Sequence, residues 1–177
     1  MAGRDPAPRT PSACADDPSR IVLAVIVGTL AIGCAAGLWR VIAVLGMRVL
    51  LDPNEGWNAY HTAAAMAGHG PYPGAASFMT NNYPPLSFYI VGPLGAALGD
   101  NIVAGRMVAL LSFLAVGSGI AGLAWRFGAG RLEALFAALL FAGFLLLYSD
   151  YVGMDDPQLL GHAIAMGSLL LRRIAHR

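Results

Sequence analysis

The chain has 177 residues, 57% hydrophobic and only 12% charged, with a mean hydropathy of +0.63. Soluble domains carry about 25% charged residues, so an ordinary soluble domain is excluded and an all-α integral membrane protein is indicated. A net charge of +1 with no basic cluster gives no sign of a nucleic-acid partner, and Cys14 and Cys34 lack the spacing of a disulfide framework or a metal site.

Residues 1–20, rich in Pro, Ala, Asp and Arg, read as a disordered tail. Residues 21–39 are nineteen in a row without a charge, about 28 Å of helix, which matches the hydrocarbon core and predicts a first transmembrane helix. A cleaved leader competes with this reading, because Arg20 precedes the apolar run and Ala31-Ile32-Gly33-Cys34 resembles a lipoprotein box. The helix is expected to continue to Leu51, with Arg40 and Arg48 reaching for the far interface or for acids there.

Residues 52–89 form a polar island in an otherwise apolar chain, with Asp52, Glu55, Trp57, His61, His69, Asn81, Asn82 and Tyr83. Asp52-Pro53-Asn54-Glu55 has the form of a helix start, with Asp at the N-cap, Pro at the first helical position and Glu closing a capping box. That helix should run to about Ala67, stop at Gly68, Gly70 and Pro71, and lie along the membrane surface. The apolar segment 85–98 has only fourteen residues and contains Gly92-Pro93. It predicts a re-entrant helix within a first outer loop, 52–100.

Asp100-Asn101 should cap a second span, 102–125, with Arg106 in its first turns; spans over 132–148 and 157–171 follow, making about four transmembrane helices. A second acidic island, 149–157, includes Asp150, Asp155 and Asp156. With 85–98 re-entrant, one side of the membrane holds Arg4, Arg9, Arg20, Arg126, Arg131, Arg172, Arg173 and Arg177, most of the eleven arginines. The positive-inside rule makes that side cytoplasmic, places the multi-pass chain in the cell membrane with a cytoplasmic N-terminus, and puts both acidic islands outside.

An acidic element after the first span, a surface helix, Gly68 to Pro73, Tyr83-Pro84-Pro85-Leu86, the Gly105-Arg106 step and the acidic pair before Pro157 together resemble the GT-C superfamily of membrane glycosyltransferases. The nearest members in pattern are bacterial enzymes similar to protein O-mannosyltransferases and the aminoarabinose transferase of lipid A. The resemblance implies transfer of a sugar from a polyprenyl-phosphate donor to an acceptor on the outer face. It implies a catalytic base at Asp52 or Glu55, and a divalent cation, Mg2+ or Mn2+, or donor phosphate at Asp155 and Asp156.

Arg106 suits the donor phosphate by its geometry, Asn81, Asn82 and Tyr83 can hydrogen-bond sugar hydroxyls, and Trp57 can stack on a sugar face. Two departures stand out. Relatives often have adjacent acids where this chain has Asn54-Glu55, and they carry more spans. Residues 21–177 are therefore expected to be the N-terminal part of such a domain, inactive without a C-terminal half or partner subunit.

Each assignment has a plainer rival. Asp52 and Glu55 can be a capping box alone and Asp156 an N-cap, so Asn or Gln at these positions is expected to leave the fold intact. Arg106 can be an interfacial anchor, and His61, His69 and His162 lack ligand spacing, His162 reading as an interhelical hydrogen-bonding residue. A transporter or flippase component and a non-catalytic assembly subunit are the alternative functions.

Overall fold

The computed structural model describes residues 18–74, 80–147 and 149–175, with backbone alone at 149, 150 and 172–175. The described residues form helices and no strand: α1 (Pro18–Val44), α2 (Pro53–Met66), α3 (Leu86–Leu98), α4 (Asn101–Arg126), α5 (Arg131–Leu146), α6 (Ser149–Gly153) and α7 (Gln158–Ala175). Residues 18–20, assigned to the tail, open α1; the rest of the expected tail lies outside the described residues, as do Tyr148 and residues 75–79.

Two of the expected spans, α1 with 27 residues and α4 with 26, are long and apolar enough to cross a membrane. Only 11% and 28% of their most apolar stretches are buried, so neither resembles the enclosed core helix of a soluble domain. The apolar helices α3 and 158–171 of α7 are shorter.

α1 ends at Val44, not Leu51. The reason is Arg106, whose Nη1 donates to the carbonyls of Val44 at 3.0 Å and Met47 at 2.7 Å, and whose Nη2 donates to Val49 at 2.7 Å. A guanidinium thus satisfies the acceptors at the helix end and in the chain leaving it. Arg48 does the same for α3, donating to the Leu98 carbonyl at 3.3 Å, while Arg40 is exposed. His162, expected between helices, is exposed on α7.

The N-termini of α2 and α4 form as their sequences dictate. Asp52 accepts from Asn54 N at 2.8 Å, and Asp100 accepts from Ile102 N at 2.9 Å and Val103 N at 3.0 Å. Glu55 reaches one residue further back than a capping box does, accepting from Leu51 N at 2.8 Å. Gly68 and Gly70 beyond α2, and Gly99 after α3, have positive φ, the conformation glycine adopts without steric cost.

Cys34 and Val41 of α1, Phe113 of α4, Leu146 of α5, Val152 of α6 and Leu159 of α7 share one core cluster. Arg106 ties the head of α4 to the end of α1, so these helices run antiparallel; Arg126 donates to Leu170 O at 3.4 Å, so α4 and α7 finish together. Tyr83, just before α3, bonds to Asp156, and Leu98 at its other end bonds to Arg48. Both ends of α3 are thereby pinned at the end of the helix group where the polar islands lie.

Candidate functional site

The buried stripe of α2 is polar. Glu55, Asn58, His61 and Thr62 are each 0–1% exposed, while Tyr60 and Met66 face outward. Spacings of three, four and seven residues put Glu55, Asn58 and Thr62 on one helix face, and that face meets the head of α4 and the turn between α6 and α7. Asn58 Nδ2 donates to Asp155 O at 2.6 Å, Asp155 N donates to Glu55 at 3.3 Å, and Tyr83 OH donates to Asp156 at 3.1 Å. The first and second polar islands are therefore in direct contact.

At the centre is a fully buried ion pair. Arg106 Nε lies 2.6 Å from Glu55 Oε1 and Nη2 lies 2.7 Å from Oε2, both side chains 0% exposed. With the three backbone carbonyls already described, all five guanidinium N–H donors are engaged. Arg106 therefore has no donor left for a phosphate unless one of these bonds opens.

Glu55 is equally committed. Burial raises its pKa, but the Arg106 hydrogen bonds, the Leu51 N–H, the Arg106 charge and the Asp155 N–H together hold the carboxyl below the usual glutamate value. A carboxylate held this way is a poor proton acceptor, and its removal leaves a buried cation unpaired. Asp52, the other expected base, is half-buried and uses one oxygen on the α2 amide.

Asp155 is the strongly perturbed acid. Burial, then the charges of Glu55 and Asp156, push its pKa up to about 8, against a lowering from Arg106. Tyr83 is pushed up to about 12 by burial and by the charge and hydrogen bond of Asp156. Burial lowers the pKa of His61, offset in part by the carbonyls of Thr80 and Pro71, and the ring sits edge-on to Trp57 at 5.2 Å and to Tyr60 at 5.4 Å.

The residues expected to bind sugar are spread out. Asn81 braces its own loop, donating to Pro71 O at 2.8 Å and accepting from Tyr83 N at 3.0 Å. Asn82 is exposed, and Trp57 is half-buried against His61. Only Tyr83 reaches the acidic turn.

Sequence reasoning passed over Asn58, Thr62 and Ser87, and noted Gly105 only as part of the Gly105-Arg106 step. Asn58, Thr62, Ser87 and Gly105 line, with Asp155 and Asp156, a cavity of about 10 Å³, room for a single water-sized body. A Cβ on Gly105 would collide with the Asp155 carboxyl, which explains glycine before Arg106. The polar stripe at helical spacing was the readable signal for Asn58 and Thr62. Among the described residues no group of three or more His, Cys, Asp or Glu side chains is arranged for a metal ion; any cation here needs amide or hydroxyl oxygens as well. Comparisons with protein-family models, with curated proteins and with solved structures gave no match.

Proposed function

We propose that this chain is the N-terminal part of a polytopic GT-C-type glycosyltransferase of the cell membrane, using a polyprenyl-phosphate sugar donor at the outer face. One observation carries the reading: two acidic islands far apart in sequence meet at one end of a helix group whose longest members are apolar and exposed. Burying acids beside an apolar bundle is costly, and such groups mark functional sites. In this reading α5 and α7 also cross, α3 returns to the side it left, and the end carrying Arg20, Arg126 and Arg131 is cytoplasmic.

Asp52 acts as base. It takes the proton of the acceptor hydroxyl as that oxygen bonds to the anomeric carbon, and the C–O bond to the lipid phosphate breaks with its electron pair going to phosphate. Glu55 and Arg106 hold α1, α2 and α4 in register around the site. Asp155 fits a divalent cation, which when bound would offset phosphate charge. Tyr83, which donates to Asp156, stands on the sugar side of the acidic turn.

The test is transfer from polyprenyl-phosphate sugars, assayed with any partner polypeptide that completes the domain. Asp52→Asn is expected to lower the rate by about 10² or more, the scale of a lost general base, at unchanged melting temperature. Full activity in that variant would sink the mechanism. Topology is checked by impermeant thiol labelling of Asn82→Cys and Ala129→Cys in a background without Cys14 and Cys34. The first should react from outside intact cells and the second should not; the reverse pattern would separate the site from its donor.

A further inference from the structure

We propose that the cleft between α1 and α5 is a site for one phospholipid of the outer leaflet, with an acyl chain lying in the cleft and the phosphate on Arg40. The inference rests on the reading that α1 and α5 cross a membrane and on no part of the sugar-transfer chemistry.

The cleft is made by absent side chains. Gly33 of α1 has nothing within 4 Å of where a Cβ would stand, and a Cβ on Gly143 of α5 would meet Cys34 Sγ and Leu30, each at 3.7 Å. These glycines leave a trough of about 360 Å³, walled by Phe144 and Leu147, which are 65% and 78% exposed. Its two side-chain heteroatoms are already engaged: Thr29 Oγ1 donates to Val25 O at 3.0 Å within its own helix, and Cys34 Sγ donates to Leu139 O at 3.5 Å. What remains is hydrocarbon, which suits an occupant with no polar group to satisfy.

Size selects a chain. At about 30 Å³ for a group the size of a water or a methylene, the trough takes roughly a dozen links. An α-helix about 10 Å across would fill roughly 800 Å³ over the same length of α5 and does not fit inside it.

Charge and depth select the headgroup. Arg40 follows Thr29 by eleven residues and Gly33 by seven, spacings that keep all three on one face of α1. It is exposed and has no ion-pair partner among the described residues. Between Arg20 and Arg40 lie about 30 Å of helix, the thickness of the hydrocarbon core, so Arg40 stands at the level of the outer phosphates. The cleft begins about 9 Å below it, in the outer half of the bilayer. A phosphate diester on this guanidinium therefore lowers its acyl chain along the stripe into the trough.

The chain of a polyprenyl donor is a different occupant. The cleft and the cavity at the acidic turn share no lining residue. Leu146, which lines the cleft, belongs to the core cluster with Val41, Val152 and Leu159, so packed side chains stand behind it.

The experiment measures lipid bound by the purified full chain, by native mass spectrometry from detergent, with phosphatidylglycerol, diacylglycerol of the same chains, or polyprenyl phosphate. One phosphatidylglycerol per chain is expected, held about tenfold more tightly than diacylglycerol. Arg40→Gln should bring the two lipids to the same affinity, and Gly33→Leu, which fills the trough, should lose both. Arg20→Gln at the other end of α1 and Ala24→Leu on its opposite face should bind as the wild type does. Melting temperatures establish that each variant is folded; if Gly33→Leu is not, Arg40→Gln decides.

Phosphatidylglycerol held no better than diacylglycerol, or held equally well by Arg40→Gln, overturns the site. Displacement of phosphatidylglycerol by polyprenyl phosphate would give the cleft to the donor, and a wild-type dimer that Gly33→Leu makes monomeric would give it to a second copy. A chain that binds lipid in the expected pattern yet transfers no sugar when its domain is complete would keep the site and refute the proposed function. Sugar transfer by a chain that retains no phospholipid would do the reverse.

Discussion

The helices α1 and α2 are built on opposite plans. Along the 27 residues of α1 only Val27, Cys34 and Val41 are buried, while Ile32 is 75% and Trp39 71% exposed. α2 turns Glu55, Asn58, His61 and Thr62 inward and leaves Tyr60 and Met66 outside. Their surroundings differ in the same sense: an apolar cleft of about 360 Å³ opens between α1 and α5 beside Leu30, Gly33 and Phe144, whereas the cavity beside α2 holds about 10 Å³. An outward apolar face carries no polar group that must be satisfied, so α1 tolerates loose contacts. The polar stripe of α2 has no such tolerance, because each buried donor, acceptor or charge left alone is penalised.

The largest break in that contrast should come from the ion pair. Arg106→Leu leaves Glu55 charged and buried and three carbonyls without their donor; a loss of about 3–5 kcal/mol is expected, read as a fall in melting temperature in detergent. Glu55→Gln should also destabilise, against the expectation that a capping residue tolerates the exchange. On α1, Ile32→Val should shift stability by no more than about 0.5 kcal/mol. Equal effects at the two places would erase the distinction.

Glycines offer a smaller and sharper comparison. Gly105→Ala drives a Cβ into the Asp155 carboxyl and should cost about 1–3 kcal/mol. Gly28→Ala in α1 meets nothing within 4 Å and should gain up to about 1 kcal/mol from helix propensity. The pair of unfolding curves should therefore move in opposite directions, and a shared direction would contradict the packing described.

The smallest effect is pH-dependent and belongs to α2 alone. His61 has a folded pKa below its ordinary value near 6.5 because burial disfavours the charged ring. As pH falls below that value the unfolded chain takes up a proton before the folded one does, so stability present at neutral pH is lost toward the folded pKa. His61→Phe should remove that part of the acid sensitivity of the melting temperature. An unchanged pH profile would show that the ring is not held neutral by burial.

Much of this was legible in residue order. Asp52 and Asp100 are N-caps because a short acid before Pro-Asn-Glu or Asn-Ile-Val has amides within reach, and Gly68 and Gly70 follow α2 where positive φ is needed. The apolar runs of α1 and α4 announced themselves by length. These are local properties, set by residues within a turn or two of one another.

The partners of Arg106 were not legible. One arginine in an apolar helix can anchor at an interface, bind phosphate or pair with an acid, and nothing within α4 separates these outcomes. Only folding brings Glu55, 51 residues away, and the loose carbonyls after Val44 to its guanidinium. The end of α1 moved for the same reason, since an apolar sequence that would continue a helix yields to an acceptor demand arising elsewhere. The Asn58–Asp155 contact likewise spans 97 positions. Sequence by itself determined where the chain is apolar enough to lie in lipid and where its helices begin, because those terms are local and additive; tertiary structure alone decided which polar groups meet, because buried hydrogen bonds and ion pairs depend on three-dimensional proximity that periodicity does not encode.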